Sequence, residues 1–176
     1  SDGFAGLLMR SDDGGATWLD KTAGINTAES ANFYAPLIMD PANSSRLLTG
    51  TDRVYETTDR ADTWAAISAP MTNGWNSTAN VDVIGVAPSD VNTVYAAAGD
   101  QIFVTTDRGA NWTERSLPDD GRVGDLIVDP LNSQTVYAVR RVFGGGHVWK
   151  SINGGATWEN LSGDLPDLPV FSIELD

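Results

Sequence analysis

The chain has 176 residues, 41% of them hydrophobic, no cysteine, and a net charge of −13 at pH 7. That length suits one domain, and the apolar share is too high for a disordered tail. The acidity disfavours nucleic acid and anionic membrane as partners, the lack of cysteine removes disulfides and thiolate sites, and no apolar run is long enough for a membrane span.

In chain order, a strand at 6–10 leads into the octapeptide Ser11-Asp-Asp-Gly-Gly-Ala-Thr-Trp18. A strand at 36–39 then stops at Asp40-Pro41, and Asn43 precedes a strand at 46–49 and Thr57-Thr-Asp-Arg-Ala-Asp-Thr-Trp64. The pattern returns as a strand at 81–86, Ala87-Pro88, Asn92, a strand at 93–97 and Thr105-Thr-Asp-Arg-Gly-Ala-Asn-Trp112. It returns again as a strand at 123–128, Asp129-Pro130, Asn132, strands at 135–140 and 147–152, Ser151-Ile-Asn-Gly-Gly-Ala-Thr-Trp158, and a strand at 157–161. A last apolar segment, 170–175, looks like one more first strand. Proline stops a strand because it lacks the N–H that a ladder requires.

The octapeptides start 46, 48 and 46 residues apart, and four of the six tryptophans fall at their eighth position. Four short strands per period of about 47 residues is the size of a propeller blade. The octapeptide chemistry suits the hairpin between the third and fourth strands. Ser11, Asp13, Thr57, Asp59, Thr105, Asp107, Ser151 and Asn153 can bond turn amides, and Gly15, Gly109 and Gly155 supply positive φ. Trp18, Trp64, Trp112 and Trp158 can fill the space between neighbouring sheets.

The pattern Ser-x-Asp-x-Gly-x-Thr-Trp, intact at Ser11, Asp13, Gly15, Thr17 and Trp18, resembles the bacterial neuraminidase or Asp-box repeat. That repeat occurs in the propellers of sialidases, xyloglucanase-like glycoside hydrolases, sortilin-type receptors and photosystem-assembly factors. The resemblance covers the whole chain. It implies an all-β fold of propeller blades, an outer-rim, structural role for the octapeptides, and an extracellular or periplasmic location. Ala61 and Asn153 depart from the pattern at the glycine and aspartate positions, so the second and fourth hairpins are expected to be looser.

The expected units are an incomplete blade at 1–33, blades at 34–80, 81–122 and 123–169, and the start of another at 170–176. Three arrangements fit about four blades: a segment of a larger propeller, half of a ring that pairs with a second copy, or a closed four-bladed ring. Mid-blade ends favour the first, and open sheet edges invite self-association.

If the octapeptides and Asp-Pro turns lie at one end of the blades, the loops 23–33, 50–53, 70–80, 99–101, 117–122, 141–146 and 163–169 lie at the other, where ligands of such folds usually bind. Within loop 70–80, Trp75 beside Asn76 either stacks on a sugar ring while the amide binds hydroxyls, or plugs its own loop. Arg122, Arg140 and Arg141 either recognise a carboxylate or bridge to Asp119, Asp120 or Asp125. His147 is the single histidine, beside Gly144-Gly-Gly146, and it reads as a loop-face ligand residue or a hydrogen-bonded strand-edge residue. No metal or cofactor is expected.

Glycoside hydrolysis would need two carboxylates facing one pocket, about 5–9.5 Å apart. Glu29, Asp52, Asp100, Asp119, Asp164 and Asp167 are the candidates on the loop face, and none sits in a recognisable catalytic motif. The Arg-Ile-Pro signature of sialidases is absent. The preferred expectation is a non-catalytic module that binds a glycan or a protein; the alternative is a hydrolase whose catalytic residues lie partly outside this chain.

Overall fold

A computed structural model of the chain describes residues 8–175. Their strands are β1 (Met9–Arg10), β2 (Leu19–Asp20), β3 (Leu37–Asp40), β4 (Asn43–Gly50), β5 (Val54–Thr57), β6 (Ala65–Ala66), β7 (Val81–Val86), β8 (Val94–Ala98), β9 (Gln101–Thr105), β10 (Thr113–Glu114), β11 (Val123–Val128), β12 (Val136–Arg140), β13 (Val148–Ser151) and β14 (Glu159–Asn160). β1 and β2 form a two-stranded sheet, followed by three antiparallel meanders of four strands in chain order. The fold is all-β, as the sequence expects. No helix among the described residues is long and apolar enough to cross a membrane.

The sheets converge at their first strands. β7 packs against β11 on one side and against β3 and β4 on the other, while β6, β10 and β14 are short and exposed. Sequence explains the stacking. In β8 the side chains alternate between two interfaces. Tyr95 and Ala97 join Ile102, Leu126, Val136 and Trp149 in the layer between the third and fourth sheets. Val94, Ala96 and Ala98 join Leu48, Val54, Ile84 and Phe103 in the layer between the second and third. A strand covered on both faces can therefore be apolar throughout, and three alanines let its neighbours approach closely.

The octapeptide hairpins share one bonding scheme. In the first, Ser11 Oγ donates to Asp13 Oδ1 (2.8 Å), while Gly15 N donates to Ser11 Oγ (2.7 Å) and Thr17 N to Asp13 Oδ1 (2.9 Å). Thr17 Oγ1 completes the set on Asp13 Oδ2 (2.6 Å). The expected loosening of the second and fourth hairpins is not found. Ala61 takes the glycine's left-handed φ of 69°, and its N–H still reaches Thr57 Oγ (3.1 Å). Asn153 accepts from Thr157 N (2.9 Å) as the aspartates do, and its amide nitrogen donates to Thr157 Oγ1 (2.9 Å). An amide offers one acceptor oxygen and two donor hydrogens, which is enough for this turn.

Each later tryptophan fastens its sheet to the preceding one. The indole N–H donates to a backbone carbonyl three residues beyond the preceding tryptophan: Trp64 to Lys21 (2.7 Å), Trp112 to Ile67 (2.8 Å) and Trp158 to Arg115 (2.8 Å). Trp64 and Trp112 are buried and Trp158 is partly so, whereas Trp18 is 58% exposed.

Three expected elements differ. The fourth strands are two residues long, because Trp158 and its equivalents turn into the inter-sheet space before the ladder begins. The expected strand at 170–175 forms no ladder among the described residues; Val170 N bonds the Arg140 carbonyl (2.9 Å) and Ile173 N bonds Asp125 (3.2 Å). The first strand is described only from Met9, with Gly6 and Leu7 outside the described residues.

Candidate functional site

The loops at the end opposite the hairpins converge on Asp82. It occupies a bulge in β7, where the register with β8 shifts between Val81 and Val83, so its side chain leaves the ladder and turns into the loops. Its carboxylate is buried and accepts from Arg122 (2.5 Å), Arg141 (2.7 Å), Asn32 Nδ2 (3.0 Å) and Gly99 N (3.0 Å). Four loops from three sheets meet there. Arg122 remains half exposed, so the hub leaves guanidinium donors facing solvent.

A second cluster surrounds Glu29. Its carboxylate is buried and accepts from Thr51 Oγ1 (2.7 Å) and the Tyr55 hydroxyl (2.8 Å), and it pairs with Arg53 Nε (2.9 Å). The same Nε lies 3.3 Å from Asp52, so the two carboxylates share one guanidinium at the rim of the cluster. Burial raises the Tyr55 phenol above its ordinary value, and neighbouring Glu29 adds to the shift, so Tyr55 stays a hydrogen-bond donor.

A third cluster fixes the glycine-rich loop. Arg140 is buried and donates to the carbonyls of Gly144 (3.1 Å) and Gly146 (2.9 Å), with Asp119 at 3.5 Å. Asp167 accepts from Gly144 N (2.6 Å) and faces His147 Nε2 at 3.2 Å.

The structure redistributes the residues singled out in the sequence. Trp75 is fully buried, stacked on Phe103 (4.5 Å between centroids) and edge-on to Trp112 (5.0 Å), so it cannot stack on a ligand. Loop 70–80 makes that possible: Gly74, at φ 83°, lies where any Cβ would collide with the Trp112 carbonyl, and Asn73 accepts from Trp112 N (2.7 Å). Asn76 is exposed beside it. The three arginines do not form one spot. Arg122 and Arg141 share Asp82, a partner the sequence did not suggest, and Arg140 turns inward to Asp119. His147 is buried at the strand edge. Asp100, Asp164 and Asp167 are exposed on the loop face.

Sequence reasoning passed over the exposed aromatics of this face. Phe33 and Tyr34 are 94% and 85% exposed and stand edge to face, 4.9 Å apart, next to Asn32 of the Asp82 hub. Phe143, in the glycine-rich loop, and Phe171 are also exposed. The available signal was that Phe33 and Tyr34 precede a first strand with no aromatic counterpart in the other repeats. Asp82 carried a similar signal, as a charge inside Val81-Asp-Val-Ile84.

Comparison with known proteins gives a consistent answer. The chain is 32% identical over 123 residues to a xyloglucanase of Hypocrea jecorina, and 26% identical over 202 aligned positions to a xyloglucanase of Paenibacillus sp. These alignments take in 57% and 89% of this chain but 14% and 20% of the relatives' own length. A GH74 enzyme of Niastella koreensis superposes with a TM-score of 0.66 at 17% identity, over 89% of this chain and 26% of the enzyme. The chain is a stretch of β-propeller blades. No family model matches it. In blade terms, β3, β7 and β11 are inner strands and the octapeptide hairpins are outer ones, so the Asp82 hub lies at the inner end of the loop face.

Proposed function

We propose that this chain is the glycan-facing part of a xyloglucan-acting propeller protein, and that it holds the polysaccharide without cutting it. The exposed Phe33–Tyr34 pair carries the reading. Aromatic faces suit the apolar faces of sugar rings, and the amide oxygen of adjacent Asn32, whose nitrogen is held by Val81 and Asp82, suits a ring hydroxyl. The relatives named as xyloglucanases support the choice of polysaccharide. In this reading the whole chain is one propeller segment with the unit boundaries given above, and its location is extracellular or periplasmic.

Electrophoresis through a gel containing xyloglucan tests the proposal. Retardation is expected, together with its loss in Phe33→Ala/Tyr34→Ala at unchanged circular dichroism. Migration unaffected by xyloglucan would discard it.

The pairing of Glu29 and Asp52 on Arg53 favours a second reading, a hydrolase completed by residues beyond this chain. Glu29 argues against its own use as an acid, because three donors already occupy it. Xyloglucan hydrolysis by the intact parent protein, abolished by Asp52→Asn with binding retained, would replace the first reading with this one.

Exposed Trp18 also supports self-association: we propose that copies associate through the two-stranded sheet that carries it. Light scattering should then give a mass above the monomer that falls in Trp18→Ala, and a monomer at all concentrations would remove the idea.

A further inference from the structure

The three joints between successive blades are built from equivalent residues, and one is left unfilled. At each joint the residue before one octapeptide faces the fourth position of the next. At the joint between the first and second sheets these are Arg10 and Arg60, with Arg10 bonded to the Arg60 carbonyl and paired with Asp62 (3.2 Å). At the next joint they are Glu56 and Arg108, an ion pair at 2.9 Å. At the third they are Val104 and Gly154, which cannot pair, and both line a cleft of about 170 Å³.

The same joint holds a cation without its anion. At the first joint Lys21, three residues after its tryptophan, meets Asp62, the sixth octapeptide residue, at 2.5 Å. The equivalent residues at the third joint are Arg115 and Ala156. Arg115 lines the cleft, makes no salt bridge or side-chain hydrogen bond among the described residues, and keeps a buried Nε without an acceptor. Its stem is held in place by close packing against Gly155. The remaining lining is rich in hydrogen-bonding groups: Gln134, Thr106 and Thr113 have side chains without partners among the described residues, and Asn111 keeps its amide oxygen free. Asp107 also lines the cleft, but its oxygens are taken up by Thr105 and by the backbone and side-chain N–H groups of Asn111.

We propose that this cleft binds a single hexuronic acid residue. The unpaired guanidinium calls for a carboxylate, the kind of partner that Asp62 supplies to the cation of the first joint. The amides and hydroxyls call for a ring bearing hydroxyls. At roughly 30 Å³ per liquid water, the volume holds about five or six waters, and it falls below the range of about 300–1,000 Å³ typical of larger ligands, so one ring is the limit. The site lies on the hairpin side of the blades, away from the loop face, and stands independently of the xyloglucan reading.

The Trp158 indole, bonded to the Arg115 carbonyl, is the reporter. In ¹H–¹⁵N spectra D-glucuronate should shift this resonance saturably, with a millimolar Kd and at least tenfold tighter than D-glucose or acetate at equal ionic strength. Arg115→Met should weaken the effect tenfold or more. Val104→Glu/Gly154→Arg should rebuild the pair of the second joint and close the cleft. The backbone permits this change, since Arg108 already holds φ 56° at the equivalent place, and a Cβ at Gly154 is crowded by the movable tip of Gln134 while the Tyr95 hydroxyl stays at ordinary contact distance. No saturable shift, equal binding of glucose or acetate, or a response that persists in either variant with a dispersed Trp158 signal would overturn the proposal.

Discussion

The two ends of the blades are made on different terms. At the hairpin end, four octapeptides use the same hydroxyl, the same carboxylate or amide oxygen and the same pair of left-handed residues, even where Ala61 and Asn153 replace the usual types. At the loop end no two connections are alike in length, and their charges are gathered into three unrelated clusters around Glu29, Asp82 and Arg140. Repetition marks what every blade must do to stand beside its neighbour. Departure from repetition marks what one place does alone, and the third joint brings such a departure to the hairpin end as well.

Several changes would break or sharpen this contrast. The largest effect belongs to the hairpin end. Trp112→Ala should cost about 3–5 kcal/mol in urea denaturation, because it empties an inter-sheet layer and removes the bond to Ile67, whereas Trp18→Ala should stay within about 0.5 kcal/mol. Equal costs for the two would show that the repeated tryptophans are not inter-blade fasteners.

Asp82→Ala tests whether the loop end has a structural residue of its own. Removing one partner of a buried ion pair costs about 3–5 kcal/mol, and half-exposed Arg122 reduces this to roughly 2 kcal/mol. A cost below about 0.5 kcal/mol would make the hub dispensable for stability.

Acid separates the hairpins from one another. Hydrogen bonds from the Thr17 hydroxyl and amide, then from Ser11, lower the Asp13 carboxyl from 3.8 to about 2. Asp59 is lowered by Thr63 and Thr57, and Asp107 by Asn111 and Thr105. A carboxylate lowered on folding contributes stability that is present above its ordinary value near 3.8 and is lost as pH falls through the folded value. The Thr17 amide resonance should therefore titrate with a midpoint near 2, and those of Thr63 and Asn111 should titrate below 3.8. The Thr157 amide, bonded to Asn153, should not move with them. The smallest change is Asn153→Asp, which should leave stability at pH 7 within about 0.5 kcal/mol and give Thr157 the acid titration it lacks.

The innermost strands were legible in the sequence. Val81–Val86 and Val123–Val128 form where an apolar run ends at a proline-containing turn, because both faces of these strands are covered. The repeat also placed the hairpins, since their bonds are local and lie within eight residues. What could not be read depends on distant neighbours. The fate of Trp75, in the loop before β7, rests on Phe103 in β9 and on Trp112 just ahead of β10. The Asp82 hub needs Asn32, Arg122 and Arg141, which lie 40 or more residues away. Segment 170–175 has the composition of a strand, but a ladder needs a partner that composition does not supply.

The tryptophan bonds all point one way along the chain. Each blade from the second onward donates to the one before it, and the first blade's own donor stands exposed. In an array whose stability is a sum of unit and neighbour terms, each of these bonds belongs to one neighbour term, so loss of a single fastener should loosen only the two blades it joins and leave the other joints intact.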